Sequence, residues 1–357
     1  MIEINSVDSE PIVKIMVVGV GGAGNNAINL MIDEHVSGVE FIAMNTDNKS
    51  LHQTKAQKIL QLGERLTRGQ GAGGKPERGQ QAAEESADDI TEMLQGADMV
   101  IISAGMGGGT GTGASPVVAR AAKDLGCLTV AVVVTPFSWE GGVRARNAKL
   151  GLDNLKEIVD TLIVVPNTNL GEVVDKRNSV EDTFRIGNQV LIQCVRGITD
   201  LITNEAVINL DFADVCSVMK DKGMAHVGSA VGKGDDKALE AMKAAIEAPL
   251  LETNIRNATD ILVTFVGDLS MNDVSTAMQY LNSCCAETEI NIIYGFKGAD
   301  ETTEEDTCTI TVIATGVEDP SETQTGRITS PNRYTAAQGN FRPRPAAPAR
   351  SATSVGA

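Results

Sequence analysis

From Pro11 onward the chain repeats one pattern: an apolar run, a glycine-rich stretch, then apolar residues at helical spacing. IVKIMVVGV is a continuous apolar run, as expected of a strand buried on both faces. GGAGNN follows it, and AINLMIDEH then carries helical periodicity. VEFIAMNT reads as a second strand, QQAAEESADDITEMLQG as an amphipathic helix behind a glycine-rich loop, and ADMVIISAG as a third strand. ASPVVARAAKDLG is a helix closed by glycine, and CLTVAVVVTP and TLIVVPN are further strands. This alternation predicts an α/β fold, with a doubly wound, mostly parallel sheet and right-handed crossovers.

The rhythm then changes. Residues 181–204 read as one long helix, with Phe184, Leu191, Val195, Ile198 and Ile202 on one face. Beyond it, ALEAMKAAIEAPLL and MNDVSTAMQYLNSCC read as helices, and ATDILVTFVGD, INIIYGFKG and TCTITVIATG as strands. Two strands in succession suggest a smaller α+β domain on a mixed sheet. The expected organisation is a flexible N-terminus (1–10), a first domain (11–180), a connecting helix (181–204), a C-terminal domain (205–316) and a disordered tail (317–357). The tail is rich in Pro, Thr, Ser, Ala and Arg and has too few large apolar groups to offset its ordering entropy.

Composition narrows the function. Of 357 residues, 42% are apolar but only 3% aromatic, so Val, Ile, Leu, Ala and Met must build the core. A formal net charge of −17 repels phosphate backbones and anionic headgroups, which argues against direct nucleic-acid binding by the body. No apolar run is long enough to insert in a membrane, and the first residues lack the basic and apolar regions of a signal peptide. The cytoplasm is therefore the expected compartment. The six cysteines form no CxxC pair and the three histidines are dispersed, so buried reduced thiols are expected rather than a zinc site.

The 36 glycines cluster in loops between strands and helices. Gly19-Val20-Gly21-Gly22-Ala23-Gly24 fits the dinucleotide fingerprint G-x-G-x-x-G, in which backbone N–H groups at a helix N-terminus meet a phosphate. Taken alone it is a weak signal, open to NAD, FAD, another phosphate ligand or a structural turn. A second loop, Gly105 to Gly113, holds six glycines in nine residues, far more than a turn requires. Two such loops on one sheet suggest a polyphosphate held from two sides. No Lys-Ser/Thr pair closes a P-loop frame, so charge must be met by N–H groups, helix dipoles and a metal ion. A third loop, Gly69 to Gly79, either covers a terminal phosphate or is a mobile surface loop. Asn45 and Asp47 follow the second strand, and Glu140 and Arg144 another, where open α/β sheets bind ligands. Asp211 and Asp214, three apart on a segment entering a helix, are either a cap with a first-turn acid or a functional pair.

GGAGNNAIN, MNTD, GMGGGTGTGASPVVA, PFSWEG, PNTNL, NLDFADV and TVIATG occur in the order found in the FtsZ family, the bacterial tubulin relatives of the division ring. The resemblance covers about residues 11–316 and implies a tubulin-like fold binding GTP or GDP, with Mg2+ carried by the nucleotide. It implies that Gly22, Ala23, Gly24, Asn25 and Asn26 contact the diphosphate. Gly109, Thr110 and Gly111 would hold the α- and β-phosphates, with Gly107, Gly108 and Thr112 in the same loop. Gly71, Ala72 and Gly73 would face the γ-phosphate, Glu140 and Arg144 the ribose and phosphate side, and Asn167 the base edge. Phe184 would stack on guanine and Asn188 would read its polar edge. Asp211 and Asp214, with Asn209, would complete the active site of a neighbouring subunit, orienting water with the help of a monovalent cation. The implied protein is a GTPase that forms head-to-tail homopolymers at the mid-cell division ring. Its other implied partners are division proteins or a membrane anchor. FRPRP and SATSVGA in the tail differ from the acidic-hydrophobic motif that usually docks such an anchor.

Overall fold

Strand β1 (Ile15–Val20) is buried at every position and sits inside the parallel part of a ten-stranded sheet. The computed structural model describes residues 13–169, 179–203, 211–247, 253–286, 289–299 and 306–317, all within the unit Met1–Pro320. Beside β1 lie β2 (Val39–Asn45) and β3 (Lys58–Gln61) on one side, and β4 (Met99–Gly105), β5 (Leu128–Thr135) and β6 (Thr161–Pro166) on the other. All five pairings among these strands are parallel, as the strand–helix alternation predicts.

The sheet continues through a narrow seam. Strand β7 (Gly223–Lys233) pairs with β6 only through Thr161↔Gly223 and Leu162↔Met224. Beyond it follow β10 (Thr307–Thr315), β8 (Asp260–Gly267) and β9 (Asn291–Lys297), with β10 antiparallel to both β7 and β8 and β9 parallel to β8. The last two strands of the sequence are thus not partners, and the C-terminal part is a mixed sheet. The seam is pinned by Asp160, whose buried carboxylate accepts from Lys123 Nζ at 2.8 Å and from the backbone N–H of Thr129 at 2.8 Å and Asp221 at 3.1 Å. A charge buried this completely is tolerated because both carboxylate oxygens are hydrogen-bonded and one of the donors is a cation.

Alternation along the strands sends side chains to two cores. Ile15 and Val17 enter the core under α1 (Gly21–Asp33), the short α2 (Asn48–Leu51), α8 (Val180–Thr203) and α9 (Phe212–Met219). Met16, Val18 and Val20 enter the opposite core, under α4 (Pro76–Glu85), α5 (Ala87–Leu94), α6 (Thr110–Asp124), α7 (Gly142–Lys156), α10 (Lys237–Ile246) and α11 (Met271–Cys284). The single helix expected over residues 80–96 is two. It begins earlier, with Pro76 in its first turn, and breaks at Ser86. The break lets Glu85 accept from the N–H groups of Arg65 and Leu66 in the short α3 (Glu64–Thr67), at 2.9 and 3.1 Å. All six thiols are free; Cys127, Cys194 and Cys308 are buried and the others half-buried.

Helix α8 is the longest helix among the described residues. Its 24 residues span about 36 Å at 1.5 Å per residue. Near its C-terminal end Arg196 donates to the carbonyl of Glu34 at 2.9 Å, just past the end of α1 and so at the N-terminal edge of the parallel strands.

Candidate nucleotide site

Strands β1 and β4 are neighbours, yet α1 leaves toward one face of the sheet and α6 toward the other. The strand order reverses between them, and such a switch point opens a crevice at the carboxyl ends of the strands. A cleft of about 410 Å3 lies there. Its walls are Val20, Gly22, Ala23 and Asn26 of the first loop and Gly105, Met106, Gly108, Gly109, Thr110 and Gly111 of the second. Val134 and Thr135 end β5 in it, Pro136 follows them, and Glu140, Arg144, Asn167, Gly187 and Asn188 complete it.

Both helices that point into this cleft start without a side-chain cap. Val20 and Gly109 precede α1 and α6, neither supplies a capping hydrogen bond, and neither helix has an acid in its first turn. Their leading N–H groups are therefore available to an anion, and no carboxylate on the first turn repels one. The loops are also bare. A Cβ placed on Gly22 or Gly108 would meet nothing within 4 Å, so the backbone there is open to a ligand. Gly107, at φ +99, turns the second loop in a conformation that side chains rarely adopt.

Several residues expected at the ligand instead brace these loops from behind. A Cβ on Gly24 would stand 2.2 Å from the carbonyl oxygen of Ser103, so this glycine packs α1 onto β4. Asn25 is buried, and in the amide orientation its two carbonyl neighbours require, its nitrogen donates to Gly19 and Gly21 at 2.8 and 3.1 Å. Thr112 accepts from the N–H of Gly107 at 2.9 Å. Asn45 accepts from the N–H of Asp47 at 3.2 Å, and Asp47 caps α2 through Lys49 N–H and the Ser50 hydroxyl. None of these five lines the cleft.

The third loop is tied to its neighbours rather than free. Gln70 bridges to Asp47, and the N–H of Gly71 donates to the carbonyl of Thr46 at 3.0 Å. Ala72 is buried against Gly109, whose Cβ position lies 2.8 Å from that of Ala72. Gly71, Ala72 and Gly73 stand beside the second loop and outside the cleft lining. Thr46, the middle residue of the Asn45–Asp47 segment, and Asn147, which sequence reasoning missed, hold this together. Thr46 and Thr110 share a hydroxyl–hydroxyl bond of 2.6 Å, and the amide of Asn147 donates to the carbonyls of Gly74 at 3.4 Å and Gly107 at 3.3 Å. Asn147 lies on α7, 73 residues from Gly74 of the third loop and 40 from Gly107 of the second, so no local pattern marks it.

At the rim, Glu140 accepts from the N–H of Phe137 at 2.9 Å and from Arg144 at 2.7 Å. Asn167 is buried and opens a helical turn directly after β6. Phe184 lies on α8, but its side chain falls outside the described residues, as does Asn209 entirely.

Asp211 and Asp214 are not in the cleft. They begin α9, which ends one turn before β7 enters the sheet beside the first residue of β6, at the N-terminal strand edge. Cys216, within α9, has its thiol pushed up chiefly by burial. Lys220 lowers it, while the charges of Asp160, Asp211 and Asp98 raise it. The end of α9 is held at that edge by Thr161, the first residue of β6, which donates to the carbonyl of Met219. The glycine loops and the acidic pair therefore occupy opposite ends of the sheet, joined by α8.

Residues 14–175 match the GTPase domain of the Tubulin/FtsZ family, and residues 223–318 match the C-terminal domain of the FtsZ family. An FtsZ dimer from M. jannaschii is 43% identical, with 85% of this chain and 88% of that chain covered and a TM-score of 0.79. CetZ2 from Haloferax volcanii, a GTPγS-bound protofilament, shares the fold at 20% identity, with 87% and 96% covered and a TM-score of 0.75. With a tubulin-like fold, a guanine-nucleotide GTPase domain and the C-terminal domain that follows it, this chain belongs to the Tubulin/FtsZ family.

Proposed function

We propose that this chain binds GTP in the β1/β4 cleft, assembles head to tail with copies of itself, and hydrolyses GTP at each joint. The observation that carries this reading is the separation of the two halves of the site. The nucleotide loops open at one end of α8, and Asp211 and Asp214 lie beyond its other end. A single subunit cannot bring them together, but the next subunit in a row can. A contact between two different surfaces of this kind does not close, and so it propagates as a filament. The related FtsZ dimer and CetZ2 protofilament support self-association.

The cleft suits a triphosphate that brings its own cation. Arg144 is the sole cationic side chain among the lining residues, and it is already paired with Glu140. The remaining charge would be met by the open N–H groups of α1 and α6 and by Mg2+ entering with the nucleotide. Asp211 and Asp214, with Asn209 and a monovalent cation at the joint, would orient and polarise the attacking water. The fixed N–H groups would stabilise the charge that develops on the phosphoryl oxygens. In the cell this activity serves a cytoplasmic ring at mid-cell, with anchor or division partners recruited through the C-terminal region.

The test is GTP turnover per subunit measured against protein concentration, with light scattering recorded in parallel. Turnover near zero that rises together with scattering above a threshold supports a shared site. Constant turnover per subunit without scattering overturns it. A fluorescent fusion is expected to form a band at mid-cell, and diffuse signal throughout division counts against the ring.

A further inference from the structure

The last turn of an α-helix leaves carbonyls without partners inside the helix. In α9 two of these are taken by buried hydroxyls from opposite sides of the seam. Thr161, the first residue of β6, donates to the carbonyl of Met219 at 2.5 Å. Thr315, the last residue of β10, donates to the carbonyl of Val218 at 2.7 Å. Both threonines are fully buried, at 0% exposure, so water cannot take over either bond. One threonine belongs to the parallel strands and the other to the C-terminal strands, which makes α9 the element held by both.

We propose that Thr161 and Thr315 are positioning residues for hydrolysis, setting the tilt of α9 and with it the placement of Asp211 and Asp214. This rests on the catalytic reading of those two acids. The lever is short and stiff. Eight residues make a helix of about 12 Å, so a tilt of about 5° at the clamped end moves the N-cap by about 1 Å. A displacement of about 1 Å in a catalytic group can cost up to about 100-fold in rate. Val215, Val218 and Met219 bury one side of the helix, but apolar contacts are non-directional and do not fix its tilt to that tolerance. The hydroxyls do, because a hydrogen bond is directional.

The test uses the full chain with Thr161→Val and Thr315→Val, which keep shape and remove the hydroxyl, and Thr161→Ser and Thr315→Ser, which keep it. Three quantities are read: binding of a fluorescent GTP analogue, the sedimented fraction with GTPγS, and GTP turnover per polymerised subunit. Each valine variant is expected to bind and assemble as the parent does while turnover falls by about tenfold or more, and serine restores it to within about twofold. Asp214→Ala runs alongside. If it loses turnover while both valine variants keep parental turnover, the clamp is wrong and the shared site stands. If Asp214→Ala itself turns over normally, the catalytic reading fails first. If binding and assembly fall in step with turnover, the threonines are merely structural and the proposal is overturned. Should one valine variant fail to fold, the other carries the test.

Discussion

The backbone N–H of Asp214 donates to Oδ1 of Asp211 at 2.8 Å, and the N–H of Asp211 donates back to Oδ2 of Asp214 at 3.2 Å. This reciprocal cap uses one oxygen of each carboxylate. The cap and the catalytic role, which the spacing alone sets up as rivals, are compatible. A pair locked at a helix start is held ready for a ligand or a neighbouring subunit.

Replacing Asp214 separates the two roles. Asp214→Ala keeps the Asp211 cap but loses the return bond to the Asp211 N–H, so it is expected to cost about 0.5–1 kcal/mol of stability and to abolish turnover, with GTP binding intact. Asp214→Asn, which retains a side-chain acceptor, is expected to keep the melting temperature close to the parent and still lose turnover. Thermal unfolding, nucleotide binding and phosphate release check all three statements.

Gly22 and Gly24 stand two residues apart and should respond in opposite ways. Gly22→Ala adds a methyl to open space on the cleft wall, so stability is unchanged or slightly raised while GTP binding weakens. Gly24→Ala drives a methyl into the Ser103 carbonyl and is expected to cost about 1–3 kcal/mol of stability. Calorimetry paired with nucleotide titration of each variant distinguishes the two cases.

Asn147 touches both the second and third loops without lining the cleft. Asn147→Ala is expected to weaken nucleotide binding by about fivefold, the equivalent of one hydrogen bond, through looser loops. The rate of release of a fluorescent nucleotide is the measurement; an unchanged rate would mean that the loops hold themselves.

His226 carries a pH dependence of known sign. Burial lowers its pKa most, while its bonds to the carbonyls of Ala245 and Thr253 raise it. The folded state thus favours the neutral ring, and the unfolded chain takes up a proton near pH 6.5. Its stabilising contribution is complete above that value and declines as pH falls toward the folded pKa. The melting temperature should drop between pH 7.5 and 5.5, and less steeply in His226→Gln. Equal slopes would remove His226 as the cause.

The parallel core and the glycine loops beside it were legible in the residues alone. A short Val/Ile-rich run bounded by glycine, such as Ile15–Val20, suits a strand buried on both faces, and a string like Gly105–Gly113 holds far more glycine than a turn needs. The pattern also set α8 to within a residue at each end, because a long amphipathic stretch leaves few alternatives.

What stands against those loops, and what supports them, depends on contacts between distant parts of the chain. Strand β7 was illegible because glycines dilute its pattern. They are there since a Cβ on Gly228 or Gly232 would stand 1.8 Å from the carbonyls of Ala245 or Lys237 on α10. The same holds for Asn25 and Thr112, whose side chains face their own loops rather than the cleft, and for Asn147, brought in from another helix. A local pattern records which residues suit a strand or a helix N-terminus. Which carbonyl an amide meets across 40 or 73 residues depends on how the layers pack, and packing is a property of the assembled chain.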